Sequence, residues 1–215
     1  MTKIEHHLSE QMLMAHAAGT LPEAFDVLIA THISLCDTCR VLLETYETLG
    51  GAVLDAGEEC AMGSDALTAT LARIEAAPAD VPARPRIRDA VFPAPLRDYV
   101  GGDADAVRWR PLGGGVRQAR LKTAGGATLR LLNIPAGTAV PDHGHRGTEL
   151  TLVLQGAFRD ADDRFARGDV ETANADLHHH PVAEAGVDCI CLAATDAPLK
   201  FDGLIQRIAQ PFLGI

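Results

Sequence analysis

The sequence predicts two domains, a small all-α domain at the N-terminus and an all-β barrel at the C-terminus. Apolar residues recur at helical spacing through residues 1–77, whereas short alternating runs separated by turn residues fill residues 96–215. Residues 78–95 contain five prolines among several arginines, and neither a helix nor a central strand runs through such a stretch. We therefore predict a Pro/Arg-rich linker at residues 78–95.

Length and composition are those of a soluble globular protein. A chain of 215 residues with 47% hydrophobic residues can bury two cores. No run approaches the roughly 18 uncharged apolar residues that span a bilayer, and the N-terminus lacks the apolar core of a signal peptide. Five cysteines are a small, odd number, which favours metal or thiol chemistry over a secreted disulfide framework. These observations predict a cytoplasmic protein without a membrane partner.

The formal charge of −10 is concentrated in the first domain. Residues 1–77 carry three Lys/Arg against twelve Asp/Glu, a net charge of −9. Such a field repels phosphate backbones and attracts basic surfaces, so we expect no direct nucleic-acid binding. An acidic surface that merely keeps the domain in solution is the alternative interpretation.

Local signals divide the first domain into four short helices. Ser9 is placed to cap the first helix, Pro22 to begin the second, and Asp37 to cap the third, which Gly50-Gly51 should end. The predicted helices cover residues 10–18, 23–33, 37–49 and 65–76. Helices this short make a small core, which a metal would help to hold together.

The sequence His32-x-x-x-Cys36-x-x-Cys39 predicts a metal site in this domain. His32 and Cys36 are four residues apart, which is one turn of a helix, and both cysteines lie at the start of the third helix, where free N–H groups favour thiolates. Zinc bound by thiolate and imidazole takes four ligands. A redox Cys-x-x-Cys pair would need a βαβ pattern that is missing here. Upstream candidates for the fourth ligand are His6, His7 and His16.

These residues carry a family resemblance. An N-terminal His followed by His-x-x-x-Cys-x-x-Cys on a short acidic domain resembles the zinc-binding anti-sigma domains that sequester extracytoplasmic-function sigma factors. The segments at residues 6–10 and 17–22, His-His-Leu-Ser-Glu and Ala-Ala-Gly-Thr-Leu-Pro, resemble the ChrR-type branch. The family pattern places the first ligand two residues before the serine. The resemblance thus implies a zinc site of His7, His32, Cys36 and Cys39, with His6 as the alternative to His7.

The second domain is predicted to be built from short antiparallel strands at the spacing of a β-sandwich or barrel. The predicted strands cover residues 107–112, 116–122, 127–134, 148–154, 155–158, 170–172, 178–182 and 189–194.

One segment of this domain carries a second metal motif. His143 and His145 share one side of an extended segment, and Glu149 leads the next strand. The spacing Gly-x5-His-x-His-x3-Glu-x6-Gly resembles the first cupin motif, and the second motif, His-x-Pro-Val, selects His179. The resemblance implies a cupin barrel, an antiparallel double-stranded β-helix or jelly roll, that binds one divalent metal through these four residues. We expect zinc, with Mn, Fe or Ni as alternatives, because the residue types do not select the metal. A barrel that has lost its metal is the other possibility.

Cys189 and Cys191 lie two residues apart and so share one face of a strand. They are candidates for a redox pair, although two small buried hydrophobic residues are the commoner case. Cys60 lies outside both motifs.

The two resemblances occur in the order found in ChrR-type anti-sigma factors. This implies a transcriptional regulator whose first domain inhibits an extracytoplasmic-function sigma factor in a 1:1 complex, and whose cupin domain contributes to release on an oxidative signal such as singlet oxygen. The alternative is a metal-dependent cupin enzyme, a dioxygenase or isomerase, because open metal positions can accept substrate or O2.

Overall fold

The computed structural model describes residues 3–77, 89–140, 143–144, 146–174 and 178–198. Most of the predicted linker and the predicted ligand His145 lie outside the described residues, as do the side chains of His143, His178 and His179. The described residues form five α-helices: α1 (Glu10–Ala17), α2 (Glu23–Ile33), α3 (Asp37–Asp55), α4 (Ala66–Glu75) and α5 (Ala94–Val100).

The first two helices begin where the sequence predicts. The Ser9 hydroxyl accepts a hydrogen bond from the Met12 N–H at 3.3 Å and so caps α1. Pro22 precedes α2, whose bounds match the prediction. Helix α4 is one residue shorter at each end than the predicted helix.

Helix α3 differs from the prediction at both ends. Its N-cap is Cys36 rather than Asp37, and the Cys36 sulfur accepts a hydrogen bond from the Cys39 N–H at 3.4 Å. The helix also continues through Gly50 and Gly51 to Asp55. A glycine ends a helix when it adopts positive φ, which these two do not, and a glycine inside a helix costs only about 1 kcal/mol relative to alanine.

Helix α5 was not predicted, and it begins inside the stretch interpreted as linker. Pro93 is its N-cap residue and Pro95 stands in its first turn. The missing N–H of proline is tolerated there, because the first N–H groups of a helix have no partner within the helix. Helix α5 can therefore begin among these prolines, and the prediction of a linker was wrong for its last residues.

The C-terminal region is a cupin-like β-sandwich. Six strands form one sheet in the order β1-β2-β3-β11-β5-β8, three form a second in the order β10-β6-β7, and β4 pairs with β9. The pairs are antiparallel, as predicted. The described strands are β1 (Arg110–Gly113), β2 (Val116–Leu121), β3 (Thr128–Ile134), β4 (His143–Gly144), β5 (Glu149–Gln155), β6 (Ala157–Arg159), β7 (Arg164–Ala166), β8 (Val170–Ala173), β9 (His178–His179), β10 (Val182–Ala183) and β11 (Cys189–Thr195).

The central strands of the large sheet are buried on both faces, whereas its edge strand β1 is mostly exposed. Alternate residues of β11 enter two different cores: Leu192 packs in one, whereas Cys189 and Cys191 pack in the other. The first core also contains Phe25 and Leu28 of α2, so α2 lies on the outer face of this sheet. The helical region and the barrel therefore share one continuous core through α2.

No helix in the described part of the chain is both long enough and apolar enough to cross a lipid bilayer.

Candidate metal centre

Four residues predicted to bind metal come together where α2, α3 and the N-terminal segment meet. One candidate ligand atom from each of His7, His32, Cys36 and Cys39 lies within 4.8 Å of the others. His7 is exposed and the other three are buried. The N-terminal motif is therefore a spatial cluster as well as a sequence pattern.

Local structure fixes each of these side chains. His32 lies in the last turn of α2, and the turn at Ser34 and Leu35 carries the chain back to Cys36 at the start of α3. His7 lies in the extended segment before α1, and its Nδ1 is 3.2 Å from the Cys36 sulfur and 3.7 Å from the Cys39 sulfur.

The two ring nitrogens of His32 have different environments. Its Nδ1 lies 2.9 Å from the Gly168 carbonyl oxygen, which can only accept, so Nδ1 carries the proton and donates. Its Nε2 is buried without a hydrogen-bond partner among the described residues. Burial lowers the pKa of His32 to about 4, so the ring is neutral at neutral pH. An imidazole held in this tautomer offers Nε2 to a metal.

The two thiols also fit a cation. Burial, with a smaller contribution from the neighbouring Cys36, raises the pKa of Cys39 to about 11. Two neighbouring buried sulfurs can both become thiolates only beside a positive charge. A divalent cation would supply that charge and so favour the thiolate form. Two sulfurs and two imidazole nitrogens make the donor set that tetrahedral zinc takes.

The other upstream histidines have different partners. The ring of His6 packs on Phe165 at a centroid distance of 4.3 Å, and its Nε2 lies 3.5 Å from Asp163. Nδ1 of His16 lies 2.8 Å from the Asp26 carboxylate. Of the three histidines that the sequence left open, the structure brings His7 into the cluster.

The predicted barrel ligands are described only in part. His143 and His179 stand opposite each other as Cα partners in the β4–β9 pair. Glu149 is the first residue of β5, where it is half-buried and pairs with Thr195 and Ala173. With His145 outside the described residues, these four residues remain a predicted metal site.

The barrel interior holds two thiols close to carboxylates. The sulfurs of Cys189 and Cys191 lie 3.5 Å apart and both residues are buried. The hydrogen bond to Cys189, together with burial, raises the pKa of Cys191, and Glu171 and Glu149 raise it further. The pair therefore lies within the electrostatic reach of the predicted barrel ligand Glu149.

Sequence reasoning missed the residues that join the cluster to the barrel. Gly168 accepts the His32 hydrogen bond, and the buried Asp169 carboxylate accepts from the N–H groups of Glu5 and His6 at 2.7 and 3.0 Å. Both lie in the turn between β7 and β8. Contacts this distant along the chain leave no local pattern in the sequence.

A His/Cys cluster where α2, α3 and the N-terminal segment meet, next to a cupin-like β-sandwich, defines a two-part protein with a candidate metal centre. The family profile described as ChrR cupin-like domain matches residues 98–197. The chain is 54% identical over 212 residues to the anti-sigma-E factor ChrR of Cereibacter sphaeroides, covering 99% of both chains. It is also similar to the crystal structure of Rhodobacter sphaeroides SigE in complex with the anti-sigma ChrR, with 53% identity, a TM-score of 0.80 and coverage of 90% of this chain and 100% of that chain.

The chain therefore belongs to the ChrR family of anti-sigma factors. The family is one of regulators, which confirms the prediction of a transcriptional regulator rather than an enzyme.

Proposed function

We propose that this protein binds one extracytoplasmic-function sigma factor in a 1:1 complex and holds it inactive in the cytoplasm. The observation that carries the proposal is the 54% identity to an anti-sigma-E factor over nearly the full length of both chains. A relative of 53% identity has been crystallised in complex with SigE.

The helical region has a surface suited to such a partner. Every residue of α4 is exposed or half-exposed, and its apolar side chains follow helical spacing. Apolar residues in the second half of α3 are exposed as well. We name these side chains the apolar surface; they are Leu49, Val53, Leu54, Leu67, Leu71 and Ile74. Exposed apolar helix faces on a region of net charge −9 fit a partner with its own apolar helices and a basic surface that contacts DNA.

In this proposal, residues 1–77 form the sigma-binding domain and zinc is held by His7, His32, Cys36 and Cys39. Zinc would supply a tetrahedral cross-link between the N-terminal segment, the end of α2 and the start of α3. The chain supplies the rest: the Gly168 carbonyl orients His32, and the first turn of α3 orients both sulfurs. The orientation of α3 then depends on the cluster, and so does the position of the part of the apolar surface that α3 carries.

Residues 96–215 form the signal-response domain in this proposal, and residues 78–95 connect the two. One divalent metal, for which we prefer zinc over Mn, Fe or Ni, is held by His143, His145, Glu149 and His179. The domain contributes to release of the sigma factor on an oxidative signal such as singlet oxygen. Cys189 and Cys191 are the secondary candidates for that response, because they lie in the same interior.

Affinity purification of the full chain from its native cells, followed by mass spectrometry, tests the proposal. We expect one small sigma factor at 1:1 stoichiometry, and the purified chain should stop transcription by RNA polymerase carrying that sigma factor. Recovery of a sigma factor whose transcription the chain does not inhibit would refute the proposal.

A further inference from the structure

The turn between β7 and β8, residues 167–169, contacts both segments that present the histidines of the metal cluster. We propose that this turn positions His7 and His32 for the metal, so that the affinity of the N-terminal cluster is set in part by the barrel. The inference rests on the proposed metal site and concerns residues outside its four ligands.

The first contact acts on His32. The Gly168 carbonyl oxygen accepts the Nδ1 proton at 2.9 Å inside a fully buried interface. This hydrogen bond fixes both the tautomer and the ring orientation of His32, which leaves Nε2 for the metal. The acceptor comes from the barrel, 136 residues away along the chain.

The second contact acts on the segment that carries His7. The Asp169 carboxylate is 3% exposed, and one of its oxygens accepts from the N–H groups of Glu5 and His6. The Val170 N–H donates to the His6 carbonyl at 3.2 Å. Hydrogen bonds to its backbone N–H and carbonyl thus hold His6, the residue immediately before His7. The position of the His7 side chain beside Cys36 therefore depends on the turn.

The turn is itself fixed to the barrel. The Gly168 N–H donates to the Val153 carbonyl at 2.9 Å, and the Val153 N–H donates to the Asp169 carbonyl at 3.1 Å. Val153 lies on β5, the strand that begins at the predicted barrel ligand Glu149. A displacement of β5 would therefore move the groups that hold both histidines.

Gly168 is suited to this position by its backbone and by its size. Its φ of +97° is a conformation that favours glycine, and a Cβ there would lie 2.6 Å from Cδ1 of Ile4. A side chain at position 168 would strain the turn and force the Ile4 side chain to move. Gly168→Ala is therefore a second, independent way to disturb His7 and His32 without touching either.

Cobalt(II) titration of the metal-free full-length protein tests the inference, because a thiolate-to-cobalt charge-transfer band reports the cysteine-containing cluster. Asp169→Ala should weaken cobalt binding by about 10-fold, within the range expected when an outer-shell partner of a metal ligand is lost. Asp188→Ala is the matched control, since the Asp188 carboxylate also joins two distant segments by accepting from a backbone N–H, that of Ala136, but lies outside both the cluster and the turn. Cys36→Ser should remove the band and so assign it.

The outcomes separate the inference from the proposed site. Cobalt binding that is weakened more in Asp169→Ala and in Gly168→Ala than in Asp188→Ala would support the inference. Wild-type affinity in both variants, or equal losses in all three at matched melting temperatures, would overturn it while the metal site stands. If Asp169→Ala does not fold, Asp169→Asn decides, because it keeps the shape and one acceptor and should still weaken binding. Absence of the band in the wild-type protein would refute the metal site, and the inference with it.

Discussion

The His7 imidazole lies 3.2 Å from the Cys36 sulfur, although 29 residues separate them along the chain. This contact closes the N-terminal segment over the junction between α2 and α3. A metal at this point would stabilise the N-terminal segment and both helices at once.

Removal of a thiol should therefore release the metal and loosen the helices. We expect Cys36→Ser or Cys39→Ser to lose the N-terminal zinc, to become sensitive to proteolysis and to lose sigma binding, because a structural metal contributes folding free energy directly. Metal analysis and limited proteolysis measure these effects. The matched control is Cys60→Ser, at an exposed cysteine outside the cluster, which should behave as wild type.

The two adjacent histidines should differ sharply. His7→Ala should lose the N-terminal zinc, whereas His6→Ala should keep it, because His6 packs on Phe165. Measuring the zinc content of both variants together with His16→Ala decides the assignment. Retention of zinc by His7→Ala with loss by His6→Ala would reverse it.

The metal-free protein should be destabilised by mild acid. Burial lowers the pKa of His32 to about 4 from a usual value of 6.5, so the unfolded chain binds a proton that the folded chain does not. Stability is then full above pH 6.5 and falls as the pH is lowered towards 4, by about 3 kcal/mol in total. Urea unfolding of metal-free protein at several pH values measures the slope. His32→Asn, which keeps a donor for the Gly168 carbonyl, should flatten the curve in this window.

Charges on the apolar surface should weaken the complex with the sigma factor. Leu71→Glu or Ile74→Glu should lower affinity by at least 10-fold without unfolding the chain, because both side chains are half or more exposed and burying a charge in an apolar contact is costly. Val187→Glu is the control, since Val187 is an exposed apolar residue on the barrel. Unchanged affinity in both α4 variants would place the sigma factor elsewhere.

Changes in the barrel should affect release more than binding. Glu149→Ala should leave sigma binding near normal and blunt release under oxidative stress, because a signal acts only through the difference in stability between two states. A shift of about 1 to 3 kcal/mol changes affinity about 5- to 150-fold. The double variant Cys189→Ser/Cys191→Ser distinguishes thiol oxidation from metal chemistry. Normal release of the sigma factor under oxidative stress in both variants would show that neither Glu149 nor the two cysteines contribute to the response.

Local signals in the sequence predicted local structure well. The Ser9 cap, the Pro22 start and the shared strand face of Cys189 and Cys191 each depend on neighbouring residues, and each was confirmed. Two local rules failed where tertiary structure overrode them: α3 passes through Gly50-Gly51, and α5 begins among prolines.

The part of the candidate site that lies within a short sequence motif could be predicted. His32, Cys36 and Cys39 follow helical and turn spacing, so their convergence could be read directly. The family pattern favoured His7 and kept His6 as the alternative, and the path of the extended segment brings His7 into the cluster. The contacts of Gly168 and Asp169 with the cluster could not be predicted, since they arise from packing between distant parts of the chain.

Native mass spectrometry of the complex purified from cells tests the central claim most directly. We expect a complex with one copy of this chain, one sigma factor and bound zinc. Cys36→Ser should yield the chain without the sigma factor and with one zinc fewer. A sigma complex that persists at full stoichiometry in Cys36→Ser, with the N-terminal zinc gone, would contradict the claim that the metal cluster organises the sigma-binding region.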